Sequence, residues 1–261
     1  MEFLSVNEIK LSNIFKRNGY IISKSENFKS LNYIKQKIKS IVKKKLKTKN
    51  KIDLNKFHRY IDKIDLNEFR LHIINELNSD KYIRHHYFKI GKQNLFNLVG
   101  NELMMQKSLN LSIQLPNDSS SLLPIHSDVW SGDSPFEINL WLPLVNCYRT
   151  KSMYILKPKD YDFFSKRGVF RKSKNVDSIY KKVKKKVNFI KVNYGNYIIF
   201  NQNLPHGNVI NCENSTRWSI NCRFKSIFSP YGDKKIGEFF TPITTKVMTE
   251  LGLDYKTPFN P

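Results

Sequence analysis

Residues Asn214–Phe224 read NSTRWSINCRF, and this stretch decides the fold class. From Arg217 onward polar and apolar residues alternate, a period of two that predicts a β-strand with one polar and one apolar face. The polar face would carry Arg217, Ser219, Asn221 and Arg223. A guanidinium turned toward a protein interior is costly unless it is paired, so an inward polar face predicts a buried anion. An exposed face on an edge strand would give the same pattern without any ligand.

Strand-like patterns surround this stretch from about residue 105 onward. LNLSIQL at 109–115 alternates in the same way, whereas the segments before it have mostly helical spacing. Turn residues such as Pro, Asn, Asp and Gly separate the apolar runs. The further predicted strands span 125–129, 137–142, 152–156, 187–192, 197–200 and 216–228. Several short strands at this spacing predict an all-β core with flanking helices, built as a sandwich or a barrel.

The flanking segments indicate how the chain is organised. Helices are predicted over 6–16, 31–46 and 65–77, and the turn Asn18-Gly19 leads into a strand at 20–23. Asp65 and Glu68 resemble a capping pair at the start of the third helix. A closing helix is predicted over 237–251, and the strongly basic, poorly periodic segment 165–186 is interpreted as an exposed insertion. We expect a single domain, with a helical region at 1–104 packed on a core at 105–230 and a C-terminal helix and tail at 231–261.

The composition permits a sizeable core and says little about partners. The chain has 261 residues and a mass of 30.9 kDa. Hydrophobic residues make up 40% of the sequence and aromatic residues 13%. Its net charge of +23 would suit a polyanionic partner. The excess is mostly lysine, however, and Lys, Asn and Ile are all abundant, so the bias of an AT-rich genome explains the charge better. We therefore expect no nucleic-acid partner, and a solvated surface at 165–186.

The cysteines and the chain start indicate the compartment. Cys147, Cys212 and Cys222 form no CxxC pair, so neither a zinc ribbon nor a disulfide framework is predicted. The start MEFLSVNEIK lacks the basic flank and apolar run of a signal peptide, and no apolar stretch is long enough to span a bilayer. We expect a cytoplasmic protein; the sequence leaves its oligomeric state open.

A candidate metal site comes from LPIHSDVW at 123–130. His126 and Asp128 are two residues apart, which on a strand puts both on one face. Such a pair alone is a weak signal, because a turn aspartate beside a surface histidine gives the same pattern. His206, about eighty residues later and just after a predicted strand, adds a third ligand. Two histidines and one carboxylate form the facial triad of non-haem Fe(II) oxygenases, although zinc hydrolases use similar ligands. Arg217 distinguishes the two, because its fork suits the carboxylate of an oxoacid, with Ser219 adding a hydroxyl.

The order of these residues resembles a known family. His126-x-Asp128, His206, and Arg217 eleven residues later with Ser219 are similar to the motifs of the phytanoyl-CoA-hydroxylase-like 2-oxoglutarate oxygenases. Supporting landmarks are Gly19-Tyr20-Ile21, Asn139-x-Trp141-x-Pro143-Leu144, and Gly195–Phe200 before His206-Gly207. The resemblance implies a double-stranded β-helix (a cupin-like jelly roll) that uses Fe(II), 2-oxoglutarate and dioxygen. Because Asp128 stands where halogenases of this type carry a small residue, hydroxylation or a further oxidation is expected.

The resemblance also suggests a substrate. Residues 130–137 and 150–153 are similar to a branch found in carbohydrate and surface-polysaccharide gene clusters, which implies a sugar or nucleotide-sugar substrate. The family's usual Pro-Gly-Ser-His segment appears here only as Leu156-Lys-Pro158-Lys, so the family's substrate contacts are not carried over.

Four further residues are assigned to the site as hypotheses. Asn139 would contact the co-substrate or a metal ligand, or else be an ordinary buried asparagine bonded to backbone. Trp130, Asp133 and Arg223 are candidates for the substrate side, and Arg223 could instead assist the oxoacid. Two other functions compete with the oxygenase: a non-catalytic jelly-roll module that binds carbohydrate or nucleic acid, and a cupin-type metal-dependent isomerase.

Overall fold

The computed structural model describes residues 3–62 and 65–258. The described helices are α1 Val6–Asn18, α2 Phe28–Lys45, α3 Leu66–Asn78, α4 Ile83–Phe88, α5 Lys92–Val99, α6 Pro158–Lys166, α7 Val169–Lys172, α8 Val176–Val183 and α9 Val247–Asp254. The strands are β1 Tyr20–Lys24, β2 Leu103–Gln106, β3 Asn110–Gln114, β4 Ile138–Pro143, β5 Tyr154–Leu156, β6 Val187–Phe189, β7 Asn196–Phe200, β8 His206–Gly207, β9 Arg217–Ser226 and β10 Phe240–Pro242. Short 3-10 helices span Leu54–Arg59, Asp128–Ser131 and Arg149–Lys151.

The strands form two sheets whose strand pairs are all antiparallel. The larger sheet has the order β1-β7-β4-β9-β2-β10, and β3 also pairs with β9. The smaller sheet has the order β6-β5-β8. Strand β9 pairs with β4 on one edge, from Ser219 to Phe224, and with β3 and β2 in succession on the other. The expectation of a β core with flanking helices is therefore confirmed.

The apolar face of β9 packs against the helices. Trp218, Ile220, Cys222 and Phe224 are all fully buried. Trp218 makes an edge contact with Phe57 of the first 3-10 helix, with ring centroids 4.8 Å apart. The hydroxyl of Tyr87 in α4 lies 2.8 Å from the backbone carbonyl oxygen of Leu140 in β4 and 3.2 Å from that of Ile220 in β9, and it donates a hydrogen bond to them. With this face covered by apolar contacts, the opposite face, which carries Arg217 and Arg223, is the one that can form a site.

The turn at Gly19 fixes the loop that leads to β8. Gly19 ends α1 in the left-handed conformation, with φ of 79°. Its carbonyl accepts a hydrogen bond from the backbone N–H of Asn201, and a Cβ at Gly19 would lie 2.2 Å from Leu204 Cδ1. Only glycine fits both the backbone conformation and this close approach. The predicted turn and the adjoining strand β1 are confirmed.

Two predicted elements differ in the structure. The predicted strand at 125–129 is a single β-bridge at His126 followed by the 3-10 helix that begins at Asp128. The predicted closing helix at 237–251 is wrong in its first half, because Gly237 adopts φ of 81° and Phe240 starts β10. Pro242 has no N–H to continue a helix, so α9 starts only at Val247. The end of the predicted tail, 259–261, lies outside the described residues.

Two local predictions are also corrected. The segment 165–186 is not a plain surface loop: it contains α7 and α8, and Ile179 and Val183 of α8 are buried. The two buried residues lie four positions apart, as on one face of a helix, but the many lysines around them make this spacing hard to recognise in the sequence. Asp65 precedes α3 but makes no side-chain capping bond. Its helical backbone conformation explains this, because a capping residue needs an extended one.

Within residues 3–62 and 65–258, every helix falls short of the length and apolar character needed to cross a lipid bilayer.

We predict that Gly19→Ala lowers the free energy of unfolding by about 1–3 kcal/mol, because the new side chain would be held at positive φ against Leu204. Urea unfolding followed by circular dichroism measures the change. Gly252→Ala in α9 is the matched control, since a Cβ there meets no atom within 4 Å. Equal stability of the two variants would contradict the role assigned to Gly19.

Candidate active site

A backbone bridge brings the two predicted histidine ligands together. The N–H of His126 donates to the carbonyl of His206 at 2.9 Å, and the N–H of His206 donates to the carbonyl of His126 at 2.8 Å. Directly paired residues of an antiparallel bridge place their side chains on the same face. The two imidazole centroids are accordingly 4.2 Å apart.

Asp128 completes the cluster from the start of the 3-10 helix. Its backbone N–H donates to the carbonyl of Gln202 at 3.1 Å, so residues 126–128 run beside 202–206. Its Oδ1 lies 3.3 Å from His126 Nε2 and 3.7 Å from His206 Nε2. One ligand atom from each of the three residues lies within 4.8 Å of the other two. The sequence-predicted triad is therefore assembled, and its spacing suits one metal ion.

Backbone carbonyls set the tautomer of both imidazoles. His126 Nδ1 is 2.8 Å from the carbonyl oxygen of Pro124, and His206 Nδ1 is 2.9 Å from that of Leu204. A carbonyl oxygen only accepts hydrogen bonds, so each Nδ1 carries the proton. The lone pair on each Nε2 then points toward Asp128, which is the form in which histidine binds a metal.

The protonation states of the cluster favour a divalent cation. Burial, reinforced by neighbouring His126, lowers the pKa of His206 to about 4, so this ring is neutral near pH 7. Burial opposes the ionisation of Asp128, but His126, His206 and Arg223 together hold its pKa well below the usual range. The result is one carboxylate beside a neutral imidazole donor, a set that Fe(II) and related metals prefer.

Arg223 holds Asp128 from the side opposite the histidines. Its Nε and Nη2 lie 3.2 and 2.8 Å from Asp128 Oδ2, which leaves Oδ1 directed toward the imidazoles. Its Nε also lies 3.1 Å from Gln202 Oε1, and the Gln202 amide donates to Glu137 at 3.0 Å. Arg223 was predicted to lie on the substrate side or to assist the oxoacid. It lines the cavity, and its contacts also suit a residue that orients Asp128.

Arg217 lies further along the same face of β9 without a carboxylate partner in the described part of the chain. It is only 3% exposed, and its Nη2 donates to Ser112 Oγ at 2.8 Å. Its Nε is buried and has no hydrogen-bond partner among the described residues, and burial lowers the pKa of the Arg217 guanidinium to about 10. A buried guanidinium in this condition is stabilised by an anion that supplies the missing acceptor.

Other polar atoms near this face also lack partners among the described residues. They are Ser219 Oγ, Asn139 Oδ1 and Asn221 Oδ1. Asn139 and Asn221 line the cavity, whereas Ser219 is buried and is not part of the cavity wall. Buried polar groups are rarely left unsatisfied, so this cluster suits a small polar ligand. The side-chain oxygen Oδ1 of Asn139 accepts no hydrogen bond from the described backbone. This disfavours the interpretation of Asn139 as an ordinary buried asparagine bonded to backbone.

One cavity of about 580 Å³ joins the metal cluster to Arg217. Asp133 lines it and is paired with Lys234 and, at 3.5 Å, with Arg223. Trp130 is 42% exposed and contacts Phe170 of α7, with ring centroids 5.8 Å apart, and it is not part of the cavity wall.

Several residues of this wall were not predicted from the sequence, among them Arg70, Ser112 and Lys234. Ser112 had a usable signal, because it lies on the polar positions of the alternating segment 109–115 and pairs with Ser219. Arg70 and Lys234 had none, since each reaches the cavity only through the packing of distant segments.

The sequence itself matches no protein-family model and no curated protein. Solved structures match the fold. The non-heme monooxygenase ThoJ, as a nickel complex, aligns with a TM-score of 0.57 and 12% identity over 90% of this chain and 84% of ThoJ. EctD from S. alaskensis, with 2-oxoglutarate and 5-hydroxyectoine, aligns with a TM-score of 0.54 and 13% identity over 87% of this chain and 78% of EctD. HygX from Streptomyces hygroscopicus, with nickel and 2-oxoglutarate, aligns with a TM-score of 0.52 and 9% identity over 89% of this chain and 90% of HygX.

The chain shares its fold with these three proteins. At identities of 9% to 13% the likeness concerns the path of the backbone and not the chemistry of the site. The chemistry of this site therefore depends on the positions of its own side chains.

We predict that His126→Ala, Asp128→Ala and His206→Ala each abolish stoichiometric metal binding, because each removes one of three ligands. Calorimetric titration of the apo-protein with Co(II) measures the stoichiometry. His85→Ala, an exposed histidine on α4, is the control and should bind one equivalent like the wild type. Retention of tight binding by any two of the three variants would sink the assignment.

We predict that Arg223→Ala weakens Co(II) binding about tenfold to a hundredfold, because Asp128 loses the group that orients it. Arg223→Lys should recover part of the affinity by restoring the charge without the fork. The same titration and the visible spectrum of the bound Co(II) measure the effect, and circular dichroism checks the fold. Unchanged metal affinity in Arg223→Ala would instead favour a role on the substrate side.

Proposed function

We propose that this chain is an Fe(II)- and 2-oxoglutarate-dependent oxygenase that hydroxylates or further oxidises a small molecule. The observation that carries the proposal is the shared cavity, which is lined both by the His126, Asp128 and His206 cluster and by the unpaired buried Arg217. A metal alone would fit a hydrolase or an isomerase. A metal together with a separate anion-binding arginine fits an enzyme that takes an oxoacid.

His126, Asp128 and His206 would hold Fe(II). When bound, the metal with 2-oxoglutarate and dioxygen supplies the oxidising power that converts a substrate C–H bond to C–OH, with succinate and carbon dioxide as co-products. The protein's own part begins with geometry: Pro124 and Leu204 fix the imidazole tautomers, and Arg223 fixes the carboxylate. Because these residues supply only three ligand atoms, an ion held by them would have room for small molecules as further ligands.

Arg217 would bind the distal carboxylate of 2-oxoglutarate. Its Nη2 is oriented by Ser112, and its unpaired Nε is the donor that a carboxylate oxygen would satisfy. Ser219 is a further hydroxyl donor on the same strand, buried and without a partner among the described residues. Asn139, whose unpaired amide oxygen lies on the neighbouring strand, would contact the co-substrate or the region around the metal.

Two solved structures of the same fold support the choice of co-substrate. EctD and HygX were each solved with 2-oxoglutarate, and HygX also with nickel. The two antiparallel sheets of this chain and its similarity to these proteins support a double-stranded β-helix of the phytanoyl-CoA-hydroxylase-like kind.

Arg217 also weighs against the competing functions. A non-catalytic jelly-roll module would have no reason to combine a metal cluster with a buried arginine that lacks an anion. A cupin-type isomerase would use the metal cluster but would leave the buried Nε of Arg217 unsatisfied, at a cost of about 1–3 kcal/mol. No feature of the described residues favours either alternative.

The substrate proposed from sequence resemblance is a sugar or nucleotide sugar, in a cytoplasmic enzyme. The segment 150–153, which contributed to that resemblance, is explained structurally. Lys151 is buried and donates to Asn55 at 2.9 Å and to Ser215 at 2.8 Å, so it holds the loops of these two residues together. The cytoplasmic assignment is supported by three free cysteines, of which Cys147 and Cys222 are buried.

We predict a weak visible charge-transfer band when Fe(II)-loaded protein is titrated anaerobically with 2-oxoglutarate. Arg217→Ala should need about tenfold to a hundredfold more oxoacid for half-saturation, the loss expected for a charge-assisted, two-point hydrogen bond. Arg217→Lys should lie between them, because it keeps the charge and loses the fork. Arg171→Ala, at an exposed arginine of α7, is the control and should match the wild type.

Metal content is measured on each sample before the titration. A wild type that binds one Fe(II) and shows no band would leave the isomerase as the better function. A wild type that binds no metal would favour the non-catalytic module.

A further inference from the structure

Arg70 is a cation on the cavity wall that the proposed function does not use. It lies in the first turns of α3, the helix that packs beside β3, and it lines the cavity together with Asn110 and Ser112. Its Nη2 donates to Asn67 Oδ1 at 2.6 Å, a contact within its own helix. Its Nε is shielded from solvent, and within the described ranges it has no hydrogen-bond partner and forms no ion pair with a carboxylate.

The other cations of the wall are already engaged. Arg223 is paired with Asp128, and Lys234 is paired with Asp133. Arg217 is bonded to Ser112 and assigned to the oxoacid. Arg70 is therefore the cation of the described wall that still lacks both an acidic partner and an assigned ligand.

The net charge of the cavity, counted with a metal ion and 2-oxoglutarate bound, also favours an anionic substrate. Among the described residues, the cavity wall carries two carboxylates, Asp128 and Asp133, and four cationic side chains, Arg70, Arg217, Arg223 and Lys234. A divalent metal ion and the dianion of 2-oxoglutarate would cancel each other. The occupied cavity would therefore keep an excess of two positive charges, which attracts an anionic molecule in preference to a neutral one.

The position of Arg70 suits an incoming substrate better than the oxoacid. Arg70 is partly exposed and lies beside the exposed Asn110, whereas Arg217 is almost completely buried. Because Arg70 keeps some solvent exposure, a ligand that enters from solvent can contact it directly. The almost completely buried Arg217 would be occupied by the oxoacid.

We propose that Arg70 binds an anionic group of the substrate, either a carboxylate or a phosphate monoester. This inference rests on the proposed function and narrows its substrate class. The guanidinium fork matches two oxygens of either group, and the unpaired Nε supplies one of the two donors. The oxidised carbon would then lie elsewhere in the same molecule, within reach of the metal cluster.

Two simple anions test this with the metal- and oxoacid-loaded protein. Methyl phosphate and acetate are titrated separately, under anaerobic conditions and saturating 2-oxoglutarate, by calorimetry and by the shift of the visible band. One of the two should bind saturably to the wild type, and the tighter one identifies the group. Arg70→Ala should weaken this binding about tenfold or more while changing the half-saturation for 2-oxoglutarate less than about twofold. Arg70→Lys should retain part of it, and Arg171→Ala should match the wild type.

The outcomes separate this inference from the proposed function. If Arg70→Ala weakens 2-oxoglutarate instead of the probe, Arg70 is a second oxoacid ligand and the inference is wrong. Binding of neither probe, or equal binding by wild type and Arg70→Ala, overturns it as well. If the wild type shows no oxoacid band, the proposed function fails, and the probes are titrated into the metal-loaded protein alone. Dependence on Arg70 there would support the anion site, and independence would reject it.

Discussion

The site depends on the two reciprocal backbone hydrogen bonds between His126 and His206. These bonds join the loop before Asp128 to the short strand β8, and they fix the distance between the imidazoles before any metal arrives. Gly207 permits the approach, since a Cβ there would lie 2.7 Å from the Tyr154 hydroxyl and 2.8 Å from the Leu123 carbonyl. The two histidines are thus held together by backbone hydrogen bonds, which are strongly directional.

Strand β9 imposes a second constraint, because its two faces must satisfy opposite requirements. The apolar face is covered by helices and by Phe57, whereas the polar face is buried toward the cavity. At one end of that face Arg223 is satisfied within the protein, by Asp128, Gln202 and Asp133. At the other end Arg217 and Ser219 retain unpaired atoms. The same strand therefore orients Asp128, a candidate metal ligand, at one end and leaves unsatisfied donors at the other.

The sequence revealed those parts of the site that follow from local periodicity. A period of two places His126 with Asp128, and Arg217 with Arg223, on common faces, so the triad and the buried arginine were predictable. The β-bridge at His126 was not predicted as such, because a bridge needs one residue on each side and shows no periodicity. Arg70 and Lys234 were also beyond reach, since α3 and the loop after β9 meet the cavity only through tertiary packing. Helix α8 was concealed because lysines surround its two buried residues, Ile179 and Val183.

The chain's charge has two separate physical meanings. The net charge of +23 is mostly lysine, and the basic residues of 165–186 are all exposed, where solvent and salt screen them. Inside the cavity three of the four described cations are arginines, and two of these keep an unpaired, solvent-shielded Nε. A guanidinium is more weakly hydrated than an ammonium, so it loses less on burial and can hold an oxyanion by two hydrogen bonds. The proposed binding of anions would therefore depend on a few arginines in low-dielectric surroundings, and the large surface charge would add mainly a long-range attraction.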